Sequence, residues 1–242
     1  MEFRADFILG VFSTFTFSCT IPLVQFLIYT RTSGYPDWSF AQILLFSAML
    51  LFWSGITETA FGEIKYSIQD KVKTGSFDRL LVLPYPAIIM ILTKGFNYRS
   101  FGTMLAGAIA LVYSILNLGI VVQWWQILLF FCFLVIGLLF YISLLILYCT
   151  LCLAIVNMMR LKDIFDKLVS FSFYPAEIFG GVFKFFYLII IPVAVWIYFP
   201  VQILLHRLDI YMLYAMLISI LLLFLSLILW NLRIKKYTSA GG

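Results

Sequence analysis

Six long apolar runs constrain this chain more than any other feature of its sequence. They cover about residues 7–30, 39–61, 101–121, 126–156, 182–205 and 210–231. A helix of about 20 apolar residues crosses the hydrocarbon core of a bilayer, and each run reaches or approaches that length. With 64% hydrophobic and only 11% charged residues, the composition excludes a soluble globular domain. The sequence therefore predicts an all-α polytopic membrane protein, a single domain with six transmembrane helices.

The distribution of Lys and Arg predicts the orientation of these spans. Basic residues cluster in 62–100, in 157–167 and in the tail that follows the last run, whereas the connection at 119–125 carries no charge. Cytoplasmic connections hold the basic excess in membrane proteins. We therefore predict a multi-pass protein of the cell membrane with both termini in the cytoplasm. Because the basic excess follows from this topology, it is not evidence for nucleic-acid binding, and we expect no nucleic-acid partner. Aromatic residues expected at the outer interface include Trp38, Trp124, Trp125, Trp196 and Tyr198.

The fifth crossing has two alternatives. Residues 182–205 are the obvious candidate by hydropathy, but Pro192 and Pro200 interrupt a helix there. The preceding stretch, 164–181, is also largely apolar and is long enough to cross by itself. In that case 182–205 is a re-entrant hairpin that dips in from the outer side before the sixth span. Irregular backbone at membrane depth requires a cover of protein or water.

A polar, lysine-bearing segment at 62–86 interrupts the apolar sequence between the second and third spans. Ile64, Ile68 and Val72 share one side of a predicted helix, which would lie in the inner membrane interface. Gly75 is placed to end this helix in the left-handed conformation. Ser76 is then expected to cap a second short helix. The pattern predicts a rigid cytoplasmic protrusion.

A protrusion held out by a membrane domain suggests contact with a partner. Leu80 and Leu81 are candidates for an apolar anchor, and Asp78 and Arg79 would set the orientation through contacts at the rim. The alternative is a connector that lies on the lipid and binds nothing.

Glu58 is the acidic residue that lies within an apolar run. Because carboxylates inside membranes are costly, it either forms an ion pair near the cytoplasmic interface or lines a cavity. The sequence contains no zinc-protease motif and no phosphate-binding loop. The four cysteines lie in apolar runs without acidic or histidine companions, so no metal site is predicted. We therefore expect no catalysis by this chain.

Three motifs, in this order, resemble those of the permease subunits of type-2 ABC transporters, particularly a small six-span bacterial subfamily. GSFDRLLVLPYP, at 75–86, is similar to a cytoplasmic Gly-x-Leu-Asp-x-x-Leu-x-x-Pro element, with Phe77 in place of the common Leu. The stretch 173–200 resembles a Phe-Pro-x-x-Ile-Phe segment followed by a Pro-containing apolar stretch. The tail RIKKYTSAGG, at 233–242, is similar to an Arg-Tyr-x-Ser-Ala ending.

The resemblance implies export driven by a separate ATPase, present in two copies, together with a second permease subunit, identical or homologous. ATP and Mg²⁺ would bind to the ATPase and no cofactor to this chain. The resemblance also favours the re-entrant hairpin at 182–205, which contains Pro192 and Pro200. A secondary transporter and a non-transporting immunity or scaffold protein remain alternatives. Coupling to the ATPase is assigned to Gly75, Ser76, Phe77, Asp78, Arg79, Leu80 and Leu81.

The charge pattern makes a testable prediction about topology. In a chain whose native cysteines are replaced by serine, an impermeant thiol reagent added to intact cells should modify Gly119→Cys or Gln123→Cys. It should not reach Lys73→Cys until the membrane is permeabilised. The opposite pattern would invert the predicted topology.

Overall fold

The computed structural model describes residues 2–155 and 160–237, and the regular elements in these residues are all helical. Helix makes up 79% of the structure, which confirms the prediction of an all-α protein. The connection at 156–159 and the last five residues of the tail motif lie outside the described residues. The α-helices are α1 (Glu2–Ser18), α2 (Thr20–Arg31), α3 (Phe40–Phe61), α4 (Ile64–Lys73), α5 (Asp78–Leu81), α6 (Ala87–Thr93), α7 (Phe101–Leu118), α8 (Trp124–Ala154), α9 (Leu161–Ser170), α10 (Gly181–Phe185), α11 (Tyr198–Leu204) and α12 (Tyr211–Ile234).

Five helical segments of the described chain are long and apolar enough to cross a membrane. They are Asp6–Arg31, Phe40–Lys73, Tyr98–Leu118, Trp124–Ala154 and Tyr211–Ile234. Their number and hydropathy support a multi-pass membrane protein. Neither candidate for the fifth crossing, 164–181 or 182–205, is one of these continuous helices.

The first of the five segments is broken between α1 and α2, at Cys19. Pro22 lies in the first turn of α2, where its missing N–H cannot complete the helical hydrogen bond to the Ser18 carbonyl. The break allows the two halves of the segment to pack against different neighbours. α1 packs against α7, whereas α2 packs against α3.

α3 and α7 form the most extensive helix pair, and glycines set how closely they approach. A Cβ atom added at Gly107 would lie 2.2 Å from the backbone nitrogen of Phe52. A Cβ atom added at Gly55 would lie 2.3 Å from the Cα atom of Met104. Each helix therefore contributes one glycine to the crossing. Small residues permit such contact between backbones where lipid supplies no hydrophobic driving force for helix association.

The segment 161–178 follows the length of α3, although only its first part, α9, is α-helical. Near its start, the carboxylate of Asp166 contacts the ammonium of Lys65, beyond the C-terminal end of α3. Near its end, Glu177 accepts a hydrogen bond of 2.7 Å from the indole Nε1 of Trp38, which precedes α3.

The segment 181–204 turns back within the helix bundle. After α10 come a π-helical stretch, Phe186–Ile190, and a break at Pro192. Trp196 stacks on Trp53, near the middle of α3, with ring centroids 5.7 Å apart. The carbonyl of Ile203 then accepts a hydrogen bond of 2.6 Å from Gln126, at the start of α8. The middle of this segment is therefore level with the middle of the bundle.

Two sequence-based expectations for this segment are wrong. Pro200 does not break a helix, because it lies in the first turn of α11, where its backbone nitrogen needs no helical partner. Trp196 is not an interfacial residue. It is completely buried between α3 and α8, where it also contacts the ring of Phe140.

The glycine crossing predicts a stability difference between two otherwise similar substitutions. Gly107→Ala forces α3 and α7 apart and should lower the free energy of unfolding by about 1–3 kcal/mol. Gly181→Ala, whose added methyl group meets open space, serves as the control. Thermal unfolding of the two purified variants in one detergent measures the difference. Equal melting temperatures would show that the crossing tolerates the extra carbon.

Candidate functional site

The segment 62–86, which the sequence predicts to be cytoplasmic, starts with α4, whose apolar side packs against the rest of the protein. Ile64, Ile68 and Val72 are buried, as their spacing predicts, and Asp70 and Lys73 on the opposite side are exposed. The helix is also fixed by its backbone, because the hydroxyl of Tyr148 in α8 donates a hydrogen bond of 2.8 Å to the carbonyl of Lys65. α4 is therefore a packed helix and not a loose connector.

A tight corner follows α4, and Gly75 forms it with the left-handed conformation that the sequence predicts (φ +69°). The backbone N–H of Phe77 closes the corner with a hydrogen bond of 3.0 Å to the carbonyl of Lys71. Ser76 does not cap the second helix, contrary to expectation. Its hydroxyl is paired with that of Thr74 at 2.9 Å, and α5 starts one residue later, with Phe77 at the N-cap.

The side chain of Phe77 joins this corner to the end of the chain. It is completely buried, and its ring lies 5.1 Å from that of Tyr237 and 6.5 Å from that of Trp230, in edge-on geometry in both cases. We call Phe77, Trp230 and Tyr237 the aromatic clasp. Edge-to-face ring pairs contribute about 0.5–1.5 kcal/mol each beyond the area that they bury. The clasp therefore attaches the corner firmly to the C-terminal end of α12.

Polar groups surround the clasp. Burial raises the pKa of the Tyr237 hydroxyl, and the carboxylate of Asp78 beside it acts in the same direction. One oxygen of Asp78 is buried and the residue as a whole is half-buried, whereas Arg79, the other residue predicted for the rim, is exposed. Arg233, one turn from Trp230, donates a hydrogen bond of 2.7 Å to the carbonyl of Leu153. The ends of α8 and α12 are thereby tied together beside the corner.

Only one of the two leucines predicted as an apolar anchor is accessible. Leu80 is buried in the protein core and is not available to a partner, whereas Leu81 is exposed. Adjacent residues of a helix point in different directions, so one leucine of the single-turn helix α5 faces the core and the other faces outward. Beyond it, Val82 is 86% exposed. The accessible apolar surface, which we call the exposed patch, consists of Leu81, Val82, Leu83 and Tyr85.

Glu58 combines the two roles that the sequence left open. Its carboxylate forms an ion pair of 3.2 Å with Lys65, which also pairs with Asp166 at 3.0 Å. These three residues, the charged triad, join α3, α4 and α9. They also line a cavity of about 310 Å³. Its other lining residues are Leu50, Trp53, Ser54, Thr57, Tyr141, Val169, Phe173 and Ile197.

A second polar contact lies at the opposite end of α3. Glu177 accepts hydrogen bonds from the indole of Trp38 and, at 2.6 Å, from the hydroxyl of Tyr198. It thereby links the connection before α3 to α11. Glu177 is not among the predicted site residues, although its isolation within a largely apolar stretch is a signal that could have indicated it.

A comparison with protein-family models agrees with these features. The model described as "ABC-2 family transporter protein" matches residues 15–241, nearly the whole chain. The chain belongs to the ABC-2 transporter family. No significant match was found among the curated proteins or among the solved structures.

Membership of the ABC-2 family gives the cytoplasmic segment its context. Permeases of this family are typically non-catalytic membrane subunits, and membership implies association with an ABC ATPase. In this ABC-2 protein, the two most exposed apolar residues of the segment 62–86, Val82 and Tyr85, belong to the exposed patch that follows the rigid corner.

Proposed function

We propose that the chain is the permease subunit of an ABC exporter, which moves a substrate out across the plasma membrane. A separate ATPase subunit, with its own ATP and Mg²⁺, supplies the energy. The observation that carries the coupling role is the exposed patch, four apolar side chains presented directly after a rigid corner. Apolar side chains of this kind serve as anchors when they fill pockets on a partner.

The contacts around the patch provide a route for movement into the membrane helices. α4 leads directly from α3, the aromatic clasp attaches the corner to α12, and Arg233 ties α12 to α8. A partner that displaced the corner would therefore act on three long helices at once. This extends the route beyond the two spans that flank the segment in sequence.

The complete transporter in this proposal contains two ATPase subunits and two permeases, with a second permease that is identical or homologous. The resemblance of the three sequence motifs supports this assembly. Both chain termini then lie in the cytoplasm, on the side of the ATPase.

The proposal also assigns the broken region its position. Residues 161–178 make the fifth crossing, and residues 181–204 enter from the outer side and return. The support is burial, because every residue from Pro192 to Leu204 is shielded from solvent by other parts of the chain. Backbone outside regular helices is tolerated at membrane depth when protein covers it. In this arrangement Glu177 lies at the outer side and Asp166 near the cytoplasm.

The re-entrant arrangement predicts that Lys184 faces the outside. In a chain without native cysteines, Lys184→Cys in intact cells should react with an impermeant maleimide. Lys94→Cys, between the predicted second and third spans, should react only after permeabilisation. Failure of Lys184→Cys to react, while Gly119→Cys does react, would assign 182–205 to a simple crossing instead.

The coupling role predicts that a charge in the exposed patch disrupts the complex. Val82→Asp leaves the core untouched, because Val82 is almost fully exposed, but it places a carboxylate in the proposed contact. We expect the affinity for the ATPase to fall about tenfold or more. Co-purification and ATPase stimulation by the reconstituted permease measure this effect.

Phe96→Asp provides the matched control, because Phe96 is exposed and apolar but lies outside the patch. Tyr237→Leu tests the aromatic clasp in the same assay and should retain the bound ATPase while reducing its stimulation. Equal loss in Val82→Asp and Phe96→Asp would contradict the assignment of the patch. A wild-type chain that never co-purifies with an ATPase would favour a secondary transporter or a scaffold protein.

A further inference from the structure

The cavity beside the charged triad has features that would not be needed if the triad only held the three helices together. A buried lysine needs a counter-charge, and one carboxylate at close range would provide it. Lys65, which is 92% buried, has two carboxylate partners, Glu58 and Asp166. Asp166 is shared with a second lysine, Lys162, at 3.6 Å, whereas Glu58 has Lys65 as its sole ion-pair partner in the described residues.

The two carboxylates are accessible although the lysine is not. The side chains of Glu58 and Asp166 are 43% and 40% exposed, against 10% for Lys65. The cavity between them therefore opens at the surface of the chain. Its volume of about 310 Å³ falls at the lower end of the range for small-molecule sites.

Aromatic rings and an unused donor complete the site. Trp53, Tyr141 and Phe173 line the cavity, and the ammonium of Lys65 lies 5.9 Å from the ring centre of Phe165. Aromatic faces attract cations, most strongly where water is excluded. The indole N–H of Trp53 is buried and has no hydrogen-bond acceptor within the described residues. A ligand that carries both a positive group and an acceptor oxygen would satisfy this arrangement.

We propose that this cavity binds an organic cation, whose positive group takes the place between Glu58 and Asp166 that Lys65 occupies in this structure. Lys65 belongs to α4, the first helix of the cytoplasmic segment, so a displacement of α4 would withdraw the lysine and leave two carboxylates for the ligand. As the substrate class of the exporter, this inference rests on the proposed function. Binding of the cation requires only the permease.

The competition between lysine and ligand predicts opposite effects from two charge removals. Purified full-length permease in lipid nanodiscs, without an ATPase, is titrated with benzoylcholine, which combines a quaternary ammonium, an aromatic ring and an ester oxygen. Glu58→Gln removes an attractive charge and should weaken binding about fivefold to tenfold. Lys65→Met removes the competing cation and should strengthen binding severalfold.

Two controls isolate the effect of charge at this site. The neutral isostere 3,3-dimethylbutyl benzoate has the same shape without the charge and should show no saturable binding. Glu63→Gln makes the same change at an exposed residue outside the cavity and should leave the affinity unchanged. Each variant is first compared with the wild type by gel filtration and thermal unfolding. If Lys65→Met does not fold, Asp166→Asn, expected to weaken binding as Glu58→Gln does, replaces it.

The outcomes separate this inference from the proposed function. The site is supported if the wild type binds the cation saturably and Glu58→Gln weakens that binding, whether or not an ATPase associates. Absence of saturable binding in the wild type and in Lys65→Met would overturn it, as would binding that is the same in Glu58→Gln. If an ATPase still associates with the permease in that case, the proposed function stands and the substrate belongs to a different class.

Discussion

The apolar surroundings of this protein require that its backbone hydrogen bonds be made within the chain, and much of the architecture follows from that constraint. Long helices satisfy it locally, and they make up the five long segments, of which the first is broken at Cys19. The stretch from Phe186 to Val195 cannot, because Pro192 interrupts it. Its polar backbone is acceptable because α8 and α12 pack against it. The bundle is thus arranged around its least regular segment.

A similar requirement applies to charge. Lys65 lies in α4, just beyond the end of α3. Its ammonium is stabilised by the carboxylates of Glu58 in α3 and Asp166 in α9. An ammonium buried without such partners would cost several kcal/mol. The triad therefore connects α4, at the start of the segment 62–86, to α9. The contact that makes the lysine tolerable also places α4 against the cavity.

At the C-terminal end of α12, aromatic packing holds elements together as the ion pairs do at the triad. Phe77 is held between Trp230 and Tyr237, and α5 starts from that fixed position. This anchoring explains why Leu80 turns inward and the following residues turn outward. A protrusion fixed to α12 can transmit a displacement, whereas a free loop would absorb it.

Local sequence rules were sufficient for much of this protein. The length of the apolar runs indicated the helices, the spacing of Ile64, Ile68 and Val72 indicated the buried side of α4, and Gly75 indicated the left-handed corner. Each depends on residues close together in the chain. Trp230 lies 153 residues from Phe77 (77 to 230), and Asp166 lies 101 residues from Lys65 (65 to 166), so no local pattern contains these two pairs. Only the tertiary structure could bring Trp196 to the core and turn Glu58 toward a cavity, because burial depends on which helices pack together.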